Sequence, residues 1–146
     1  MIKIIIVESD QDELIKACRI AAEKGVKFFP CETGLEALDI LKRRKDVIGL
    51  ITDLRISLVC REKATTAACF YLVSKALEMG IRVVICSDEP FYPERIIKVL
   101  STIQKEAGEK IKGFIVENKN WKQAIQLLEN NNSQGGDPCN VPNAGD

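Results

Sequence analysis

The stretch Val47-Ile48-Gly49-Leu50-Ile51-Thr52-Asp53-Leu54 is an apolar run that meets a carboxylate at its end. A short aliphatic run without polar alternation is typical of a strand that is covered on both faces of a parallel sheet. We therefore predict a strand over residues 47–52, with Asp53 directly after its carboxyl end.

Four further apolar runs predict four further strands. They lie at residues 1–7, 26–30, 81–86 and 111–116. The first is a continuous β-branched run, which predicts the central strand of the sheet.

Helical spacing and capping signals occupy the segments between these runs. Asp10 with Glu13, and Thr33 with Glu36, have the spacing of N-terminal capping boxes, and further helices are predicted at 64–79, from Pro93 to Gly108 and at 121–128. Five strands that alternate with five helices predict an α/β fold with a parallel sheet, right-handed crossovers and helices on both faces, which is a three-layer α/β/α sandwich.

Length and charge indicate one domain with no net charge to attract nucleic acid or anionic lipid. The 146 residues are 46% hydrophobic, and 21 Lys and Arg balance 21 Asp and Glu. This size and composition suit one core, predicted over residues 1–129, and the balance predicts no direct binding to nucleic acid or membrane. Residues 130–146, rich in Asn, Gly, Pro and Ser, are predicted to be a flexible tail.

The cysteines and the absence of histidine exclude several classes of protein. Six cysteines include no C-x-x-C pair, and no histidine is present. A mixed zinc site and Ser-His or Cys-His catalysis are therefore not expected. Free thiols inside apolar runs, with no secretory leader and no long apolar span, predict a cytoplasmic protein.

Polar side chains follow four of the predicted strands, where ligands bind in open α/β sheets. They are Glu8, Ser9, Asp53, Ser87, Asp88, Glu117 and Asn118. Helix capping explains Asp10 and not Asp53, because the next predicted helix begins several residues later. A carboxylate in this place could bind a hard cation or accept a phosphoryl group.

Five motifs in this order resemble the receiver domains of two-component response regulators, over about residues 2–129. They are Ile4-Ile5-Ile6-Val7-Glu8-Ser9-Asp10, Thr33-Gly34-Leu35-Glu36-Ala37-Leu38, Leu50-Ile51-Thr52-Asp53-Leu54, Val83-Val84-Ile85-Cys86-Ser87 and Gly113-Phe114-Ile115-Val116. The resemblance implies a doubly wound, flavodoxin-like (CheY-like) sheet of order 2-1-3-4-5. It also implies Asp53 as the phosphate acceptor, Ser87 as the switch hydroxyl and Phe114 as the switch aromatic.

The metal site that the resemblance implies is incomplete. The family has two adjacent acids after the first strand, whereas this chain has Glu8 and then Ser9. Glu8 and Asp53 are the remaining candidate ligands for Mg²⁺. Asp10 is assigned to the helix cap, and a shifted turn that brings it into the pocket is the alternative.

The charge beside the acceptor also departs from the family pattern. Glu117 takes the position of the family's phosphate-pairing lysine, and Asp88 stands where a small residue is usual. Glu8, Asp53 and Glu117 in one crevice would repel one another unless a cation lies among them. Arg55, two residues beyond Asp53, is the candidate bridge between two carboxylates, and Lys119 is a second source of compensation.

These features predict a receiver-like signalling domain, not an enzyme, that contacts a histidine kinase or a downstream target and undergoes weak or no phosphorylation. A homodimer through the fourth helix, fifth strand and fifth helix is a candidate assembly. The alternatives are an ordinary Mg²⁺-dependent phosphoacceptor and a flavodoxin-like small-ligand-binding protein or enzyme. A nucleotide site is disfavoured, because Glu8-Ser9-Asp10 is acidic and lacks a glycine-rich phosphate cradle.

Overall fold

The computed structural model of the chain describes residues 2–88 and 93–134, with side chains up to residue 130. These residues form five strands: β1 Lys3–Val7, β2 Lys27–Cys31, β3 Gly49–Thr52, β4 Arg82–Ser87 and β5 Ile115–Glu117. The helices are α1 Gln11–Glu23, α2 Gly34–Arg43, α3 Thr66–Glu78, α4 Pro93–Ile103, α5 Ala107–Ile111 and α6 Trp121–Gln134. Of these helices, none has the length and apolar character needed to cross a bilayer.

The strands form a parallel sheet of order β2-β1-β3-β4-β5, as predicted. The β1 run explains why the sheet is covered on both faces. Ile5 and Val7 belong to the core beneath α2, α3, α4 and α5, whereas Ile4 and Ile6 belong to the core beneath α1 and α6. Because successive side chains of a strand point to opposite faces, only a continuous apolar run can serve both cores.

Two predicted helix caps form, and they differ in detail. The Thr33 side chain and the Glu36 carboxylate form the predicted capping box at the start of α2. The Asp10 side chain accepts hydrogen bonds from the backbone N–H groups of Asp12 and Glu13, so it caps α1. The Glu13 carboxylate instead accepts a hydrogen bond of 3.0 Å from the Trp121 indole N–H, which ties α1 to α6.

The predictions for the last third of the chain were wrong in their boundaries. Gly108 was predicted to end a single helix and Ile111 to begin a strand, but both belong to the short helix α5, and β5 begins at Ile115. Helix α6 continues through residues 130–134, where the sequence predicted tail. The rest of the predicted tail, residues 135–146, lies outside the described part of the chain.

Close packing of α5 on α4 explains the error at Gly108. A Cβ atom added at Gly108 would lie 1.9 Å from the Ser101 Oγ and 2.9 Å from the Ile97 carbonyl oxygen. This glycine therefore permits a close helix contact and does not end a helix. Gly113, at φ 82°, is the glycine that allows the chain to turn towards β5.

We expect Gly108→Ala to lower the free energy of unfolding by roughly 1–3 kcal/mol, as overpacking does in tight cores. Helix propensity alone would favour alanine by about 1 kcal/mol, so the sign of the effect separates the two explanations. Urea denaturation of the variant, of Ser101→Ala and of the double variant measures it. Stabilisation by Gly108→Ala would contradict the close contact; rescue by Ser101→Ala should be partial, because the Ile97 carbonyl remains in place.

Candidate functional site

The candidate site lies at the carboxyl ends of β1, β3 and β4, where the sheet order places these strands side by side. Glu8 follows β1 and Asp53 follows β3, and the Asp53 backbone N–H donates to the Val7 carbonyl at 3.1 Å. Glu8 is 1% exposed and Asp53 is 7% exposed. Two carboxylates are thus held close together in a nearly water-free place, which requires a compensating positive charge.

Lys119 supplies that charge. Its ammonium Nζ contacts the Glu8 Oε1 and lies 3.2 Å from the Asp53 Oδ2. The Lys119 side chain is 10% exposed, so this pair of contacts is shielded from solvent. Glu8, Asp53 and Lys119 are called the acid–lysine triad below.

An unusual loop brings Lys119 into position. Asn118 and Lys119 follow β5 with φ angles of 61° and 46°, both in the left-handed region. The Lys119 backbone N–H donates to the Ser87 carbonyl at 3.2 Å. Left-handed backbone is unfavourable for lysine, so the surrounding contacts must hold this turn. The contacts of this turn are its backbone hydrogen bonds and the buried ion pairs of the triad.

The sequence identified Lys119 only as a secondary source of charge, for a clear reason. Alignment by motif placed the family's lysine at Glu117, but β5 extends to Glu117, and the Glu117 side chain is exposed. The cation that contacts both carboxylates comes two residues later, within a left-handed turn. The signal available was that Lys119 is the one cation between the fifth strand and the predicted helix at 121–128.

The other predicted site residues differ in their position and burial. Ser87 is fully buried at the end of β4, and Phe114 is partly buried just before β5. The side chains of Asp10, Asp88 and Arg55 are exposed. Lys119 is the cation that contacts both carboxylates.

Ser9 has a structural role at the site. Its hydroxyl donates to the Glu32 carbonyl at 3.1 Å and accepts from the Ser57 backbone N–H at 3.1 Å. Ser57 also forms a bridge with Thr33, so the loop after β3 is attached to the loop after β2. Ser9, which stands where the resemblance implies an acid, therefore connects the loop after β2 to the loop after β3 by hydrogen bonds.

The triad has a well-defined electrostatic balance. Burial raises the pKa of Glu8 to about 7, with the hydrogen bonds from Lys119 and the Asp10 backbone opposing this and the charge of Asp53 adding to it. Burial acts to lower the pKa of Lys119, but its hydrogen bond to Glu8 and the charges of Asp53 and Glu8 outweigh burial and raise it. Lys119 therefore stays charged, and Glu8 is the group of the triad that changes its ionisation near neutral pH.

The donor set does not fit Mg²⁺ as it is arranged. Each of the four carboxylate oxygens already accepts a hydrogen bond: Glu8 from Asp10 and Lys119, and Asp53 from Leu54 and Lys119. Mg²⁺ prefers several oxygen ligands in an octahedral shell. Within residues 2–88 and 93–134, no group of three or more His, Cys, Asp or Glu side chains could hold a metal ion.

Comparison with known proteins identifies the fold and not a sequence family. No family model matches the sequence, and no curated protein matches it. Solved structures do match. The CheY-like receiver domain protein from Methanospirillum hungatei JF-1 has a TM-score of 0.67 at 15% identity, covering 92% of this chain and 95% of that chain.

Two further solved structures show that the similarity is one of fold, because it includes a designed protein. The chemotaxis response regulator CheY4 of Vibrio cholerae matches with a TM-score of 0.64 at 16% identity, covering 89% of this chain and 98% of that chain. A de novo designed Rossmann 2x3 fold protein matches with a TM-score of 0.59 at 19% identity, covering 94% of each chain. Similarity at this level concerns architecture. The chain has the fold of the CheY-like receiver domains of response regulators.

Proposed function

We propose that this chain is a receiver-like signalling domain that acts through protein contacts, with weak or no phosphorylation of Asp53. The observation that carries the proposal is the contact of one ammonium, Lys119 Nζ, with both Glu8 and Asp53. In this proposal the lysine takes the place that a divalent cation would need. The acid–lysine triad is then a stable feature of the domain and not a centre for phosphoryl transfer.

The charge around Asp53 supports weak phosphorylation. Phosphoryl transfer needs cations that neutralise the phosphoryl oxygens, because catalysis depends mainly on position and charge. Lys119 is already shared between two carboxylates, and the Ser9 hydroxyl is engaged with Glu32 and Ser57. A phosphodonor would meet a site with two acids and one ammonium, and therefore an excess negative charge whenever Glu8 is ionised.

The proposed partners are a histidine kinase or a downstream protein, and the proposed contact surface includes α4. Val99 and Ile103 on α4 are large apolar side chains that are 40% and 54% exposed. Tyr71 on α3 is also exposed. A surface of this kind suits a protein partner or a second copy of the chain better than it suits solvent alone. An enzymatic role is not part of the proposal.

Incubation with a small phosphodonor and Mg²⁺, followed by intact mass measurement, tests the proposal. We expect the wild-type protein to carry no phosphate adduct, in the same way as Asp53→Asn. Trp121 lies 5.9 Å from the Lys119 ammonium, measured from the ring centre, so its fluorescence reports the same site. We expect no Mg²⁺-dependent change in that fluorescence.

The ordinary phosphoacceptor is the alternative that this experiment separates. A phosphate adduct on the wild-type protein that is absent from Asp53→Asn would show that Asp53 accepts phosphate, and it would overturn the proposal. An adduct of equal yield on both proteins would point to a different acceptor residue and would leave the triad inert, as proposed.

A further inference from the structure

A pocket of about 260 Å³ lies at the end of the sheet opposite the acid–lysine triad. It is formed by the turn after α3, the first residues of β4, helix α5 and the residue before β5. The lining residues are Leu77, Gly80, Ile81, Arg82, Val83, Lys110 and Phe114. Arg82 begins β4 whereas Ser87 ends it, so the pocket and the triad lie at opposite ends of the same strand.

The walls of the pocket belong to the hydrophobic core. Leu77 and Val83 are buried, and Ile81 and Phe114 pack against the same core cluster. Because core side chains hold fixed positions, the walls keep their shape without a ligand. Preformed, mostly apolar pockets with a few polar groups are typical of small-molecule sites.

The charges in the pocket are all positive. Its two charged lining residues are Arg82 and Lys110, and no acid lines it. The Arg82 Nη1 atom is buried and has no hydrogen-bond partner among the described residues. Two other cations near this end of the sheet, Lys3 and Arg44, are each paired with Asp46. Because Nη1 is closed to solvent, an anion in the pocket would instead be attracted by the charges of the half-buried Arg82 side chain and of Lys110, which no acid of the lining compensates.

We propose that this pocket binds a small apolar carboxylate. The volume accommodates on the order of nine non-hydrogen atoms, at about 30 Å³ for each. The carboxylate pairs with the Arg82 guanidinium, which presents its N–H donors in a planar fork that matches two oxygens. The apolar body lies against Leu77, Val83 and Phe114. An ion without an apolar part, such as inorganic phosphate, would leave these walls uncovered.

Titration of the ¹⁵N-labelled full chain with hexanoate tests this inference. We expect saturable shifts of the backbone amide signals of Gly80, Arg82 and Gly113, and no such shifts with hexanamide, which has the same shape without the charge. Arg82→Met keeps the length of the side chain and removes the guanidinium. We expect it to weaken hexanoate binding by about tenfold or more, as expected for the loss of a charge-assisted hydrogen bond.

Arg19→Met is the matched control, because Arg19 is exposed on α1 and far from the pocket lining. It should bind hexanoate like the wild type. If Arg82→Met does not fold, Lys110→Met on the exposed side of α5 serves instead and should also weaken binding. The inference would be overturned if hexanoate gave no saturable shifts at millimolar concentration, or if hexanamide bound equally well. It would also be overturned if folded Arg82→Met, or Lys110→Met in its place, bound hexanoate as tightly as the wild type, or if inorganic phosphate bound more tightly than hexanoate.

Discussion

Lys119→Met is expected to lower the free energy of unfolding by about 3–5 kcal/mol near pH 7.5, as measured by urea denaturation. The variant keeps the aliphatic stem and removes only the ammonium. Glu8 and Asp53 then remain buried without their shared cation, and removal of one partner from a buried ion pair is far more costly than removal of a surface pair.

Lys122→Met is the control for this substitution. Lys122 is exposed near the start of α6, so its replacement should change the free energy of unfolding by less than about 0.5 kcal/mol. Adding Glu8→Gln to Lys119→Met should restore much of the lost stability, because one buried charge then disappears. A loss below about 1 kcal/mol for Lys119→Met would contradict the shielded contacts of the triad, since exposed ion pairs have effects of that size.

The same variant tests the idea that Lys119 stands in the place of a divalent cation. With the ammonium removed, the two carboxylates should bind Mg²⁺, and Mg²⁺ should raise the stability of Lys119→Met while leaving the wild type unchanged. A ligand that binds only the folded state stabilises it in proportion to the logarithm of its concentration above the Kd. Equal stabilisation of both proteins would show that Lys119 and Mg²⁺ do not compete.

The wild-type protein is expected to be more stable near pH 5 than near pH 7.5, by about 2 kcal/mol, because of Glu8. Burial raises the pKa of Glu8 to about 7 in the folded protein, from 4.5 in the unfolded chain. Between these two values the folded state holds a proton that the unfolded state has released. Stability therefore falls as the pH rises through this window, and the effect ends once Glu8 is ionised in both states.

Other groups contribute little within this window. The chain contains no histidine. Burial raises the pKa values of Cys31, Cys69 and Cys86, so these thiols stay protonated in the folded protein. The hydrogen bonds from Arg44 and Lys3 hold the pKa of Asp46 far below the window, so its stabilising effect is complete there and is lost only in strong acid.

Urea denaturation at several pH values, with Glu8→Gln for comparison, measures this dependence. Glu8→Gln should give nearly constant stability across the window, because the amide does not titrate. Asp12→Asn, on the exposed first turn of α1, should retain the wild-type slope. A wild-type slope that persists in Glu8→Gln would assign the proton to another group.

Much of the architecture could be predicted from local patterns of residues. The apolar run of β1 contributes to two cores, because a strand covered on both faces has no polar side. Thr33 and Glu36 form the capping box of α2, because both partners lie within one helical turn. Gly108 shows where such patterns fail. A glycine that ends a helix and a glycine that permits a close helix contact look the same in a sequence, and only the approach of Ser101 and Ile97 distinguishes them.

The sequence by itself determined the order of the strands and of the helices other than α5, and it brought Glu8, Asp53 and Ser87 to one end of the sheet. These depend on periodicity and on the rule that parallel strands end at the same edge. The identity of the compensating cation was decided only by the tertiary structure. Lys119 reaches the two acids through a left-handed turn whose energy depends on contacts far away in the chain. Asp53 can therefore be identified from its place along the sequence. The charge beside it comes from Lys119, which lies 66 residues later in the chain.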